Sequence, residues 1–379
     1  MQIHFQQSEI PGGFFFAQKS HIYSNNNISE EKMSRLLCSV ILLLSVAVIG
    51  SGHIQAAENE ITLMSHDSFN VSKDVVAKFE KQHGVKLRFL KAGDTGSAVN
   101  KAILSKNNPM ADVFYGIDNT FMSRALKAGI FIPYASPGLK QIHDHLKLDK
   151  QNRLLPVDFG DVCLNYDKSW FRTKKITPPQ NLSDLLKPAY KGLTVVENPA
   201  TSSPGLAFLF ATIGQFGEPG YLEYWKKLRQ ADVLVVNGWE EAYWGHFTAA
   251  SKGSRPIVVS YASSPPVEVF YAKVKPKEAP TAAVVSDQSC FRQIEFAGIL
   301  KGTKKPEMSK KLIDFLLGKT FQEDIPLQMF VFPANRDAKQ PDVFVKHAKL
   351  AENPVILSSE RITANREKWI EDWTDTVLR

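Results

Sequence analysis

Cysteine is scarce, with three in 379 residues. Cys38 sits in an apolar run, and neither Cys163 nor Cys290 lies in a metal-ligand spacing, which excludes a cysteine zinc site. In an exported chain these two can oxidise to one disulfide. In a core they can equally stay as two buried thiols, and their spacing does not choose. Catalytic signatures are missing as well. There is no G-x-S-x-G elbow, P-loop, dinucleotide fingerprint or H-E-x-x-H. His66, His83, His143, His145, His246 and His347 are scattered, and none is nominated as a base for Ser260 or Ser263. Net charge is +7, yet basic residues form no block beyond pairs such as Lys174-Lys175 and Lys304-Lys305. That excess serves solubility, because a nucleic-acid surface needs basic residues clustered with aromatics. The longest apolar run, residues 36–50, is short for a membrane span.

That run has another use. Met33-Ser34-Arg35 precedes it and Gln55-Ala56-Ala57 follows, the basic, apolar and small-residue order of a secretory signal. The expectation is an upstream extension over 1–32, a signal from about residue 33 to 57, and a mature chain of 58–379, long enough for two cores.

The mature part alternates short apolar runs with helical patterns. Residues 61–65, 85–90 and 111–115 read as strands. Helices are expected over 97–104, over 119–127, and on the face of Val75, Val76 and Phe79, with Gly84 and Gly129 as stops. A second series reads strands at 162–165, 193–197, 233–236 and 257–260, and helices at 205–214, 221–229 and 240–251. Residues 282–286 look like a return strand. Beyond Pro306 the pattern is helical, interrupted near 330–333, and Trp369 and Trp373 share one face of a final helix as packing anchors. Strand–helix–strand alternation predicts an α/β fold with largely parallel sheets. Two lobes with no floppy tether predict two crossings, near 157–161 and 284–290, so that 58–158 forms lobe 1, 159–285 lobe 2, and 286–379 returns to lobe 1.

Ligands of open α/β sheets bind beyond the carboxyl ends of strands, and the residues there are polar and aromatic. Asn198-Pro199-Ala200-Thr201-Ser202-Ser203-Pro204-Gly205 opens a helix with hydroxyls that can cap it and still meet a ligand. Gly93-Asp94-Thr95-Gly96-Ser97 places a carboxylate in a tight turn. In Gly116-Ile117-Asp118-Asn119, Asp118 can contact a ligand or cap the next helix. Trp239, Tyr243 and Tyr261 stand at or just after strand ends of the second series. Aromatic faces attract a flat cationic ring, Asp94 balances its charge, and the hydroxyls near Ser202 and Ser203 can hold a hydroxyl or phosphate arm.

With these residues in place, the chain resembles the periplasmic thiamine-binding proteins of ABC importers, within the type II periplasmic-binding-protein fold. Five stretches carry the resemblance over nearly all of 58–379: His66-Asp67-Ser68-Phe69; Ala111-Asp112-Val113 leading into Gly116-Ile117-Asp118-Asn119; Thr201-Ser202-Ser203-Pro204-Gly205-Leu206; Gly238-Trp239-Glu240-Glu241-Ala242-Tyr243; and Ser260-Tyr261-Ala262-Ser263-Ser264-Pro265. The resemblance implies two mixed α/β lobes around a central cleft. Asp94 and Thr95 would contact thiamine from lobe 1, Ser202 and Ser203 would hold its hydroxyethyl or phosphate end, and Trp239 would meet it across the cleft. Tyr261, Ala262, Ser263 and Ser264 would line the second wall, with Asp118, Tyr243 and Phe330 as further contacts. It also implies a monomer that works in the periplasm with a membrane permease and its ATPase, without metal, cofactor or catalysis. Three departures touch the ring-binding cage: Pro266-Val267 where relatives carry a Tyr, Phe330 where some carry a Trp, and Asn70-Val71-Ser72 in place of another Trp.

Rival expectations are the same fold with another cargo, ferric iron or a polyamine, a secreted hydrolase using Ser202 or Ser263, and a structural module. Tyr261 has no adjacent tyrosine, which disfavours iron.

Overall fold

The computed structural model describes residues 59–379. The expected extension, the signal and Cys38 lie outside the described residues. Three short parallel strands begin the described chain: β1 (Glu60–Ser65), β2 (Lys86–Lys91) and β3 (Val113–Asp118). The helices between them, α1 (Lys73–His83) and α2 (Thr95–Leu104), are amphipathic. In α1, Val75 and Phe79 are buried, and the chain leaves through left-handed Gly84. Helix α3 (Met122–Ala128) ends at left-handed Gly129, and β4 (Phe131–Ile132) follows.

Strand β5 (Leu155–Asp167) then opens a second parallel set, β6 (Thr194–Glu197), β7 (Leu234–Val236) and β8 (Ile257–Tyr261), built with helices α4 (Ser203–Phe216), α5 (Gly220–Gln230) and α6 (Pro266–Tyr271). Strand β9 (Thr281–Val284) pairs back on β5, as a return strand should. Strand β10 (Phe291–Leu300) and the short β11 (Phe332–Pro333) complete a sheet ordered β2-β1-β3-β10-β5-β8-β6-β7. Helix α7 (Pro306–Leu317) packs on the central strands, and α8 (Ser359–Val377) packs on helices α3 and α5. Trp369 packs edge-on against Phe210 and Trp373 against Trp225, each pair at 5.5 Å, the anchoring role expected of them.

The sheet corrects three expectations. It is mixed: each end is parallel, but β5 and β10 run antiparallel to each other and to their neighbours β8 and β3. Strand β5 has 13 residues, far beyond the expected 162–165. Strand β10 had no counterpart among the expected elements, although it is paired on both sides. The expected crossings accordingly fall within β5 and just ahead of β10. The helix expected over 240–251 is a six-residue π turn, Glu241–His246, followed by irregular chain.

Two links tie the long strands together. Arg292 donates to both oxygens of buried Asp161, at 2.5 and 2.9 Å. Cys163 and Cys290 are joined in a disulfide with their Cα atoms 4.6 Å apart, which settles the alternative the sequence left open. No described helix is long and apolar enough to cross a membrane.

Candidate functional site

The carboxyl ends of β1, β2 and β8 and the N-termini of α2 and α4 converge on a cavity of about 230 Å³. Asp94 sits where the two halves meet. It caps α2 by accepting from Thr95 N–H at 2.6 Å, and its other oxygen accepts Trp239 N–H at 3.0 Å. Gly96 N–H donates to the Thr201 carbonyl at 2.9 Å. A Cβ at Gly96 would stand 2.7 Å from that carbonyl oxygen, so only glycine permits the approach. The Ser203 and Thr95 hydroxyls are 3.3 Å apart, and Gln293 donates to Ser203 at 3.0 Å. Burial pushes the Asp94 carboxyl up, and the Trp239 N–H, His66 and the Ser202 hydroxyl only partly offset it.

Trp239 forms one wall. Its indole N–H donates to Ser260 Oγ at 2.9 Å, and its face stacks on Tyr243 at 4.9 Å and 23°. Ser260 and Ser264 share a hydroxyl hydrogen bond of 2.8 Å, and the Tyr261 hydroxyl donates to Gln293 at 3.3 Å. Val267, Met329 and Phe330 add apolar surface.

The floor is charged. His66 Nε2 lies 3.5 Å from Glu295, both nearly buried, and Ser68 holds the other ring nitrogen at 2.8 Å. Burial pulls the imidazole pKa down, but Glu295 and Asp94 outweigh it and hold it above the usual value. Gly116 makes room for the ring: its φ is 93°, and a Cβ there would fall 2.2 Å from His66 Cδ2. Glu295 stands where β10 shifts register against β5, one residue ahead of its shift against β3, an irregularity that re-aims side chains. Beneath it, the Tyr115 hydroxyl donates to Asp158, whose carboxyl is pushed well up by burial and by Glu295.

Of the residues expected at the site, Asp94, Thr95, Ser203, Trp239, Tyr261, Ser264 and Phe330 line the cavity. Five do not. Ser202 is buried and caps α4 through Gly205 N–H. Asp118 is buried and caps the turn at Thr120 and Phe121, the alternative role named for it. Tyr243 is buried behind Trp239. Ser263 is buried, and Ala262 packs with Cys163, Cys290 and Ala351.

Sequence reasoning missed His66, Glu240, Trp244, Tyr271 and Glu295 as lining residues. His66 lay in a stretch already singled out, so its signal was present. Glu295 had none, because β10 itself was unread.

Aromatic faces, three lining carboxylates (Asp94, Glu240, Glu295) and strand-end hydroxyls between two α/β halves define a solute-binding protein of the two-lobed type II fold. The profile of the bacterial extracellular solute-binding proteins matches residues 108–352, and the chain belongs to that family. It is 28% identical over 350 residues to the thiamine-binding periplasmic protein of Brucella melitensis, covering 90% of this chain and 99% of the relative. The Escherichia coli protein of the same name is 29% identical over 347 residues, covering 90% and 99%. A solved periplasmic thiamin binding protein superposes with a TM-score of 0.74 at 26% identity, covering 84% of this chain and 96% of that one.

Proposed function

We propose that this chain captures thiamine in the periplasm and delivers it to an inner-membrane ABC permease and its ATPase. One observation carries the reading furthest: the aromatic wall of Trp239, Tyr261 and Phe330 faces a cavity also lined by Asp94, Glu240 and Glu295. Thiamine has a permanently cationic, flat thiazolium ring. Each cation–π contact is worth about 0.5–2 kcal/mol, and carboxylates in the same cavity add attraction. The names of the relatives support the same cargo.

The protein acts as a monomer that closes lobe 1 (58–158 with 286–379) on lobe 2 (159–285) by bending at the two long strands. It also accepts thiamine phosphates, whose arm meets the N-terminus of α4 at Ser203. No catalysis is involved. Ser202 and Ser263, the nucleophiles a hydrolase would use, are buried outside the cavity.

The test is calorimetric titration of refolded, ligand-stripped 58–379 with thiamine. One-to-one binding below micromolar is expected. No heat and no thermal stabilisation at millimolar thiamine would remove thiamine as the cargo.

A further inference from the structure

Two large rings stand partly in solvent at the mouth of the cavity. Trp244 is 40% exposed and Tyr271 is 59% exposed, and both line it. Ring surface left in water is unfavourable unless something covers it, and exposed apolar surface beside a pocket marks a place of contact.

Each ring is braced from behind. Trp244 meets Tyr243 edge-on at 5.0 Å and Trp239 at 6.1 Å. Tyr271 lies 6.0 Å from Phe330 and 5.1 Å from Phe270. The backbone also explains their placement. Phe247 N–H donates to the Ala242 carbonyl, five residues back, at 3.1 Å. Trp244 stands within this π turn, Glu241–His246, and its ring reaches the side on which Trp239 lies. On α6, Val267 and Tyr271 are four residues apart and share a face. Buried Val267 forms the inner wall, and Tyr271 extends it outward.

We infer that Trp244 and Tyr271 are ligand-gripping residues that fold over the outer edge of a flat heteroaromatic cation and set the preference for ring cations over non-aromatic cations of equal charge. This rests on the proposed capture of a flat cationic cargo. Trp239 and the carboxylates supply the inner contacts. The two mouth rings add aromatic faces to those of Trp239, Tyr261 and Phe330, beside Val267, which offers none.

The test compares wild type with Trp244→Ala, Tyr271→Ala, Trp244→Phe and Tyr271→Phe, each titrated with thiamine, with a simple N-alkylthiazolium and with choline as the non-aromatic cation. Each alanine variant should bind the ring cations about tenfold more weakly and lose clearly less on choline, whose ammonium gains cation–π attraction from a ring face but no stacking. Each phenylalanine variant should stay within about threefold of wild type, since it keeps a face. Ligand-free melting temperatures of all four should match wild type, which separates grip from fold. Alanine variants that bind both ring cations like wild type overturn the grip while leaving thiamine capture intact. Wild type that binds thiazolium but not thiamine overturns thiamine capture, and the alanine variants then decide the grip on thiazolium. Wild type that binds neither overturns both.

Discussion

The backbone N–H of Trp239 donates to the Asp94 carboxylate across 3.0 Å, joining residues 145 apart in the chain. The other Asp94 oxygen caps α2. One carboxylate therefore fixes the start of a helix in the first half and the approach of the second half.

Asp94→Ala should weaken thiamine binding by roughly 1.5–3 kcal/mol, the usual loss for hydrogen bonds to a charged group. Asp94→Asn should lose less, since its amide oxygen can still cap α2. Calorimetry reads both. Wild-type affinity in the alanine variant would leave Asp94 as a helix cap only.

Removing the Trp239 ring should cost about 1–3 kcal/mol of binding. Trp239→Phe should cost less, retaining a face while losing the 2.9 Å bond to Ser260. If Trp239→Ala lowers the melting temperature and leaves the dissociation constant untouched, the ring is packing against Tyr243 and nothing more.

Stability should fall as pH rises from about 5 to about 7. Burial pushes the Asp118 carboxyl up to about 7, against bonds from Thr120 and with help from Glu295. Burial likewise pushes Glu268 up to about 7, against bonds from Tyr243 and Thr281. Unfolded carboxyls titrate near about 4. Between these values the folded chain holds protons that the unfolded chain has released, so this stabilisation is complete below about 4 and lost through about 7. Urea melts of ligand-free protein at pH 5 and pH 7.5 measure the slope, and Asp118→Asn should flatten it. A curve rising across that window would contradict the assignment.

Reducing the Cys163–Cys290 bridge, which closes a separation of 127 residues, should destabilise the protein by about 2–4 kcal/mol. A Cys163→Ser, Cys290→Ser double variant should reproduce the loss and make the melting temperature indifferent to reductant. Equal melting temperatures for oxidised and reduced wild type would show that the bridge does not contribute.

The outer strands and helices were legible because local chemistry marks them. Val75 and Phe79 mark a buried helix face, Gly84 and Gly129 mark stops, and Ser202 marks the start of α4. The centre was not. Strand β10 is buried along nearly its whole length, so it shows no alternation, and its interior positions include Arg292, Gln293 and Glu295. Those residues are satisfied only by partners far away in sequence, such as Asp161 and Ser203. Strand β5 hides for the same reason, with Asp158, Asp161 and Asn165 inside it. Asp94 and Trp239 could be found because strand-end position is written locally. Trp244 could not, because the π turn depends on how Ala242, Tyr243 and Phe247 pack into their cluster beside Val195 and Val258.

The place of β10 between β3 and β5 also governs time. The early strands wait for an internal neighbour that is not made until residues 291–300 exist. Non-local pairing of this kind folds slowly, and the sheet cannot be completed until most of the chain has been made. Pulse-labelled hydrogen exchange should accordingly show β3 gaining protection together with β10, and not ahead of it.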